Sequence, residues 1–310
     1  MTKSDKENGA GQLRLKPGTL LKGKWNGRVY RLERPLGAGA NGQVYLASRG
    51  RLLCAVKLGL DAADLQGEAN VLASLDRRER RRPPFLLDVD DARVNGRDIP
   101  FYVMQYVPGL PLRQFVRRRG PRAVGAVGFR LLERLAELHE AGWVFGDLKS
   151  DNVLVSGDGR VTLVDYGGMS RIGRSVRQFT EIYDRGYWHA GSRTADPAYD
   201  WFSAAVLWIH ALDGERLMRL TRALLPQNRH PGELLRLVRT HPQLRMLEGW
   251  IRPALEGKFR DTREAAAVWR DAVRAAGRAA DVDGGVPFWM GGLLAVSIAL
   301  CGAAVFWLLR

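Results

Sequence analysis

The 310-residue chain carries 48 Lys and Arg against 33 Asp and Glu, a net charge of +15, and 46% of its residues are hydrophobic. That apolar content marks a globular protein with an ordinary packed core, and the positive excess favours polyanions, nucleic acid or anionic lipid, without choosing between them. Two cysteines, Cys54 and Cys301, rule out a disulfide framework and cysteine-based metal spacing, which suits a reducing compartment.

In chain order, residues 1–25 read as a polar tail without the apolar centre of a signal peptide. Tyr30–Leu36, Gln43–Ala47 and Leu52–Leu58 read as three short strands joined by a glycine-rich turn and by Ser48-Arg49-Gly50. Asp61 caps a helix whose apolar stripe is Leu65, Leu72 and Leu75. Two more strands flank Asn95-Gly96, a hairpin signal, and the second reaches Tyr102-Val103-Met104 before Pro108-Gly109 breaks it. Helical periodicity then dominates, with Val124, Val127, Leu131, Leu135 and Leu138 marking one helix and Trp201–Leu212 another. A last helix opens at Asp261 and Glu264, ends near Ala280, and leads into a short linker, 281–285.

Val286–Leu309 contains no charged residue. At ~1.5 Å per residue a helix of that length exceeds the roughly 30 Å hydrocarbon layer, so the expectation is a single transmembrane helix with Trp289 and Trp307 at its interfaces. Gly291, Ala295, Ala299 and Ala303 recur every four residues, a ridge of small side chains suited to homodimer packing in lipid.

Three clusters carry chemistry. Gly37-Ala38-Gly39-Ala40-Asn41-Gly42-Gln43-Val44 has the G-x-G-x-x-G-x-V spacing, and strand-type sequence follows it. A dinucleotide fingerprint would lead into a helix; a hairpin flap over nucleotide phosphates fits better, since glycines let backbone N–H groups approach phosphate oxygens. Lys57 ends the apolar run Ala55-Val56-Lys57, where an unpaired ammonium is costly, and Glu68 on the following helix is its expected partner. Asp147, Lys149 and Asn152, at offsets 0, 2 and 5, suit a proton acceptor, a counter-charge to a transferring phosphate and a metal ligand; Asp165 in Asp165-Tyr166-Gly167 adds a carboxylate for Mg²⁺.

In this order these residues resemble the eukaryotic-like (Hanks-type) serine/threonine protein kinases over roughly Tyr30–Ala280. The resemblance implies an α+β, bilobal fold over 26–280, with a β-rich N-lobe and a helical C-lobe. It implies ATP with Mg²⁺ or Mn²⁺ as cofactor and protein substrates. It makes Gly37, Ala38, Gly39, Gly42, Val44 and Lys57 ATP-binding, Met104 the gatekeeper, and the Gln105–Val107 backbone the adenine-binding hinge. It also makes Asp147, Lys149, Lys57 and Glu68 catalytic, Asn152 and Asp165 metal-holding, and Asp200 the aspartate that steadies the catalytic loop. A kinase domain followed by a tail anchor is similar to the YabT-type kinases of spore-forming bacteria, which implies a cell-membrane location and stimulation by DNA. Arg77-Arg78-Glu79-Arg80-Arg81-Arg82 and Arg117-Arg118-Arg119 are the basic runs that suit phosphates of DNA or lipid.

Three positions depart from the family pattern. Phe145-Gly146-Asp147 stands for His-Arg-Asp, Tyr166 for the DFG phenylalanine, and His189-Ala190-Gly191 for Ala-Pro-Glu. Between Met169 and Tyr187 lie Ser170, Ser175, Thr180 and Tyr183, with Thr180 the first expected autophosphorylation site. The alternatives are a small-molecule phosphotransferase, suggested by Gly146-Asp147 but opposed by Lys149, and a pseudokinase scaffold, opposed by the complete ligand set.

Overall fold

The computed structural model describes residues 15–39, 42–79, 84–177 and 179–283. Strand β1 (Leu20–Lys22) opens an antiparallel six-stranded sheet, followed by β2 (Val29–Gly39), β3 (Gly42–Arg49), β4 (Leu52–Gly59), β5 (Leu86–Val94) and β6 (Arg97–Gln105), in the order β1-β2-β3-β4-β6-β5. Helix α1 (Ala62–Glu79) lies between β4 and β5 in sequence. Its cap is the expected one, since Asp61 Oδ1 accepts from Ala63 N at 2.8 Å and Asp64 N at 3.0 Å. Alternation sorts β4 between two cores: Cys54, Val56 and Leu58 join Leu21, Tyr30, Leu32 and Phe101 on one face, and Ala55 joins Leu65, Leu72 and Met104 on the α1 side. The hairpin at Asn95 (φ 50°) and Gly96 (φ 79°) has the double positive φ that makes Asn-Gly so strong a turn signal.

The assignment of residues 1–25 to a tail needs correction. β1 pairs Leu21 with Tyr30, and Leu21 is 1% exposed, so the sheet starts upstream of residue 26. A three-residue strand is too short for alternation to announce itself.

The second lobe comprises β7 (Leu110–Pro111), α2 (Leu112–Arg119), α3 (Ala123–Glu140), β8 (Trp143–Val144), β9 (Val153–Val155), β10 (Val161–Leu163), β11 (Ser170–Arg171), α4 (Pro197–Ala223), α5 (Pro231–Thr240), α6 (Pro242–Met246), α7 (Glu248–Glu256) and α8 (Thr262–Asp283). The β7, β9 and β10 strands form one small sheet and β8 with β11 another. Helix α4 starts earlier than Trp201: Asp196 caps it by accepting from Tyr199 N at 3.0 Å, and Pro197 occupies the first turn, where its missing N–H costs nothing. It also outruns Leu212, because Asp213 (φ −139°, ψ 47°) kinks the chain without ending it. Arg117–Arg119 form the last turn of α2, where cations complement the helix dipole. Helix α8 continues past Ala280 to Asp283, and the expected span 286–309 lies outside the described residues; among those described, no helix is long and apolar enough to cross a membrane.

Buried tryptophans hold the helices together. Trp269 on α8 meets Trp250 edge-on at 4.9 Å and Trp208 at 5.2 Å, and its Nε1 donates to Gly125 O at 2.8 Å. Gly128 on α3 lies under this indole, where a Cβ would stand 2.0 Å from Trp269 Cζ2. Gly128→Ala should therefore lower stability by about 1–3 kcal/mol through overpacking. Gly249→Ala, in the first turn of α7 with nothing within 4 Å of the new carbon, should be neutral or stabilising by up to ~1 kcal/mol. Urea unfolding of the two variants checks the contrast.

Candidate active site

The loop Phe145–Asn152 is hung from a buried carboxylate. Asp200, fully buried near the start of α4, accepts from Phe145 N at 2.7 Å, Gly146 N at 2.9 Å and His139 Nε2 at 2.9 Å. Thr262 Oγ1 lies 2.6 Å from His139 Nδ1 and accepts from Trp201 Nε1 at 2.8 Å. With the Nε2–H tautomer assigned, every donor in this network has an acceptor. Asn152 ties the loop from inside, donating from Nδ2 to Asp147 O at 2.8 Å while its own carbonyl accepts from Val164 N at 2.9 Å. The loop and the strand leading to Asp165 are thereby coupled.

Asp147 is 7% exposed and emerges into the cleft with Lys149 Nζ 2.6 Å from its Oδ2. Thr180 Oγ1 donates to Asp147 Oδ1 at 2.9 Å and accepts from Lys149 Nζ at 3.3 Å. Thr180, the first expected autophosphorylation site, is thus held by its hydroxyl between the Asp147 carboxylate and the Lys149 ammonium. Ser170 and Tyr183 are buried, leaving Ser175 as the exposed hydroxyl among the four candidates.

Lys57, 3% exposed on β4, joins the lobes. Its Nζ lies 2.9 and 2.7 Å from the two Glu68 oxygens and 2.7 Å from Asp165 Oδ1. Burial opposes the ammonium, but Glu68 and Asp165 outweigh it and hold its pKa above the ordinary lysine value. Burial pushes the Glu68 carboxyl up against the pull of Lys57, and burial of Asp165 is outweighed by Lys57, which holds that carboxyl low. Tyr102 completes the shell. Its phenol, kept protonated by burial and by Glu68, donates to Glu68 Oε1 at 2.9 Å. Sequence reading missed this residue, although a tyrosine within the apolar run Phe101-Tyr102-Val103 demands a buried acceptor.

Asp165 sits in the left-handed region (φ 63°, ψ 79°), one that aspartate tolerates better than most residues. The turn aims its carboxylate into the cleft, 42% of the side chain staying exposed, while Tyr166 packs inward edge-on to Phe145 at 6.0 Å and Phe85 at 6.2 Å. Above, Gly39 pairs with Gly42, Ala38 with Gln43 and Gly37 with Val44 across the hairpin, whose tip residues 40 and 41 lie outside the described set. A Cβ on Gly37 or Gly39 would meet nothing within 4 Å, so neither glycine is required by protein packing; their bare backbone faces open space, as phosphate approach needs. Gly42 differs, since φ 134° and Leu58 O at 1.9 Å from a Cβ make it structural. At the back of the cleft Met104 is buried, and Gln105 N donates to Phe85 O at 2.8 Å, so that amide is committed to the sheet and Gln105 can offer only its carbonyl to a base. Val107 lies just beyond β6, on the connection to β7.

The brace for the substrate-side segment is also visible. Fully buried Asp184 accepts from Gly186 N, Tyr187 N, Tyr199 Oη at 2.8 Å and Arg193 Nε at 2.8 Å. Arg185 forks onto both oxygens of Asp196, the α4 cap, at 2.8 and 2.6 Å. These pairs link the segment to α4 where the usual glutamate is missing, and no short-range sequence pattern announces them.

A buried lysine bridging Glu68 and Asp165, near an open glycine hairpin and the Asp147–Lys149–Asn152 loop, is the arrangement of a phosphotransferase cleft between two lobes. Residues 30–245 match the protein kinase domain, and the chain belongs to the protein kinase family, among the bacterial eukaryotic-like serine/threonine kinases. It is 37% identical over 255 residues to serine/threonine-protein kinase YabT of Bacillus subtilis, covering 81% of this chain and 73% of that one. Serine/threonine-protein kinase F of Synechocystis is 28% identical over 267 residues, 75% of this chain and 53% of its own. The solved structure of vaccinia related kinase 3 shares the fold at TM-score 0.57 and 18% identity, over 86% of this chain and 92% of that one.

Gly146, in the arginine's place, has φ +82°, and a Cβ on it would lie 2.6 Å from Gly168 O. Gly168 in turn packs against Asp147, where its own Cβ would be 2.9 Å from that of the aspartate. Gly146→Ala should displace Asp147 and cut phosphoryl transfer at least ~10-fold, about 1.4 kcal/mol in the barrier, with a smaller effect on nucleotide affinity. Single-turnover kinetics beside nucleotide titration separate the two.

Proposed function

We propose that this chain is an ATP- and Mg²⁺-dependent kinase of protein serine and threonine hydroxyls, anchored to the cell membrane by 286–309. ATP with Mg²⁺ (or Mn²⁺) would supply the γ-phosphoryl group and neutralise the charge that develops as it moves. The observation that carries the reading is Lys57 Nζ bridging Glu68 and Asp165, which places an ammonium, a helix carboxylate and a metal-type carboxylate in one closed cluster. Lys57 holds the α- and β-phosphates, and Glu68, fixed by Tyr102, keeps Lys57 turned toward them. Asp165 and Asn152 are the residues that would hold the metal, an oxygen-donor pair of the kind Mg²⁺ accepts beside phosphates and water. Asp147 orients the substrate hydroxyl and takes its proton, Lys149 offsets charge on the transferring group, and Thr180 sets both side chains at the substrate mouth. The Lys149–Asp147 contact favours protein over small-molecule substrates, and the unbroken ligand set argues against a binding-only scaffold.

Membrane anchoring is supported by the uncharged run Val286–Leu309, and pairing of two copies by the ridge Gly291, Ala295, Ala299 and Ala303. Retention of the chain in carbonate-washed membranes measures the first; a membrane two-hybrid signal lost in Ala295→Ile with Ala299→Ile measures the second. Stimulation by DNA is supported by likeness to the YabT type and by the basic runs. Arg117 and Arg118 are exposed at the end of α2, whereas Arg119 donates to Gly157 O at 3.1 Å, and residues 80–82 lie outside the described set.

Lys57→Ala and Asp165→Asn should each lower phosphoryl transfer by orders of magnitude with the fold retained. Labelled ATP and a generic protein substrate, at saturating Mg²⁺, test this; near-normal turnover in either variant would sink the assignment. DNA affinity, measured by gel retardation, should fall steeply from ~50 to 200 mM salt with little sequence preference. Binding that ignores salt, or none at low salt, removes the DNA role.

A further inference from the structure

Helix α8 runs antiparallel to α3. At one end Arg263 forks onto both oxygens of Glu140, at 2.6 and 3.0 Å. Further along, Trp269 Nε1 donates to Gly125 O at 2.8 Å, and a Cβ on Gly125 would stand 2.6 Å from Val273 Cγ1. Past this contact α8 continues ten residues to Asp283, whereas α3 is only two residues from its first, Ala123. At ~1.5 Å per residue α8 therefore overshoots the corner between α2 and α3 by about 12 Å. Gly284 and Gly285 then separate it from the uncharged run at Val286, three peptide steps that span at most about 11 Å.

The corner beside this exit is basic and unneutralised. From Ile99 to Leu132 the chain has six arginines and no acidic residue. Gly120 (φ 77°) turns the chain between the two helices, and Arg117, Arg118 and Arg122 are exposed around it. Among the described residues no carboxylate pairs with any of these three. Asp158 lies on the hairpin whose carbonyls accept from Arg119 and Arg130, but its carboxylate is taken by Ser156 and Arg160. On α8 past Trp269, three arginines are balanced by Asp271, Asp281 and Asp283. Net attraction to an anionic surface at this end of the domain therefore comes from the corner, not from the helix that leads to the span.

We propose that the α2–α3 corner docks on anionic phospholipid headgroups through Arg117, Arg118 and Arg122, and so holds the catalytic domain in one orientation on the membrane. This rests on the reading of 286–309 as a membrane anchor. Headgroups extend about 5–7 Å outward from the hydrocarbon, and attraction reaches a further ~8–10 Å at ordinary salt. Two glycines let the domain lean, and a lean toward the corner brings its arginines into that range. The tether makes the encounter intramolecular, so each arginine need contribute little. A DNA duplex approaching the same arginines would be repelled by the neighbouring anionic bilayer, which favours lipid as the occupant. With this end of α3 down, the ~27 Å length of the helix lifts the catalytic loop at its other end away from the headgroups, toward substrates outside the bilayer.

The test uses the whole chain in lipid nanodiscs, with Cys301→Ser in the span, Cys54 being buried, and a dye attached at Ala126→Cys, an exposed position in the first turn of α3. A spin label on a lipid headgroup is the quencher. We expect quenching at least ~2-fold stronger in discs with about one third phosphatidylglycerol than in phosphatidylcholine alone, falling back at ~0.5 M salt. Arg117→Gln with Arg118→Gln and Arg122→Gln should abolish the difference. The three corresponding lysine substitutions keep the charge and should preserve it, which separates lost attraction from a misfolded corner. Quenching that ignores lipid charge in a chain retained by the discs, or that persists in the glutamine variant, overturns the docking alone. A chain that does not stay in the discs faults the anchor and the docking with it. Gel retardation scores DNA in parallel. Retardation unchanged in the glutamine variant, with the lipid response gone, assigns the corner to lipid; retardation lost with the lipid response intact assigns it to DNA and overturns the proposal.

Discussion

An ammonium that is 3% exposed cannot stand alone in a protein interior, and Lys57 is the group on which the two lobes depend. Its strand supplies only apolar neighbours, so the counter-charges must come from elsewhere: Glu68 from α1 and Asp165 from the start of the activation segment. Removing one partner of such a buried pair typically costs about 3–5 kcal/mol, because it strands the other charge. The position of α1, the turn at Asp165 and the closure of the cleft are thus one electrostatic arrangement. Tyr102 extends it into the sheet by fixing the Glu68 carboxylate from behind.

A second buried charge does the same for the lower lobe. Asp200 gathers two backbone amides of the catalytic loop and the ring of His139, and Thr262 and Trp201 complete the set. The loop is held by its own backbone, so side chains at 145 and 146 are free to depart from the family pattern. Phe145 uses that freedom to pack on Tyr166, and Gly146 to bring the loop against Gly168. The missing glutamate beyond His189 is handled likewise, by moving the bracing charges to Asp184–Arg193 and Arg185–Asp196. The same job, linking the substrate-side segment to α4, is done from different positions.

Much of this was legible in the chain itself, for two physical reasons. Period-2 and period-3.6 patterns and short apolar runs identified β2–β6, α1 and α3, because an element packed on a core carries its apolar residues at its own period or, as in β4, on both faces. Chemistry that must act on a phosphate restricts residue type at short spacing, which made Gly37, Lys57, Asp147, Asn152 and Asp165 readable in order. Strand β1 was lost to its brevity, and the far end of α4 to a kink that continues the chain through Asp213.

What only the tertiary structure decided are pairings between residues far apart in the chain. Thr180 looked like a free hydroxyl in a polar loop, and folding sets it on Asp147, 33 positions away. Asp184 and Arg185 are neighbours in the chain, and folding buries the first and locks the second on Asp196. Local sequence determines which residues can do the chemistry, because propensity and valence are properties of each residue and its neighbours. Which charge meets which partner depends on distances across the folded chain, and short-range pattern carries no record of those.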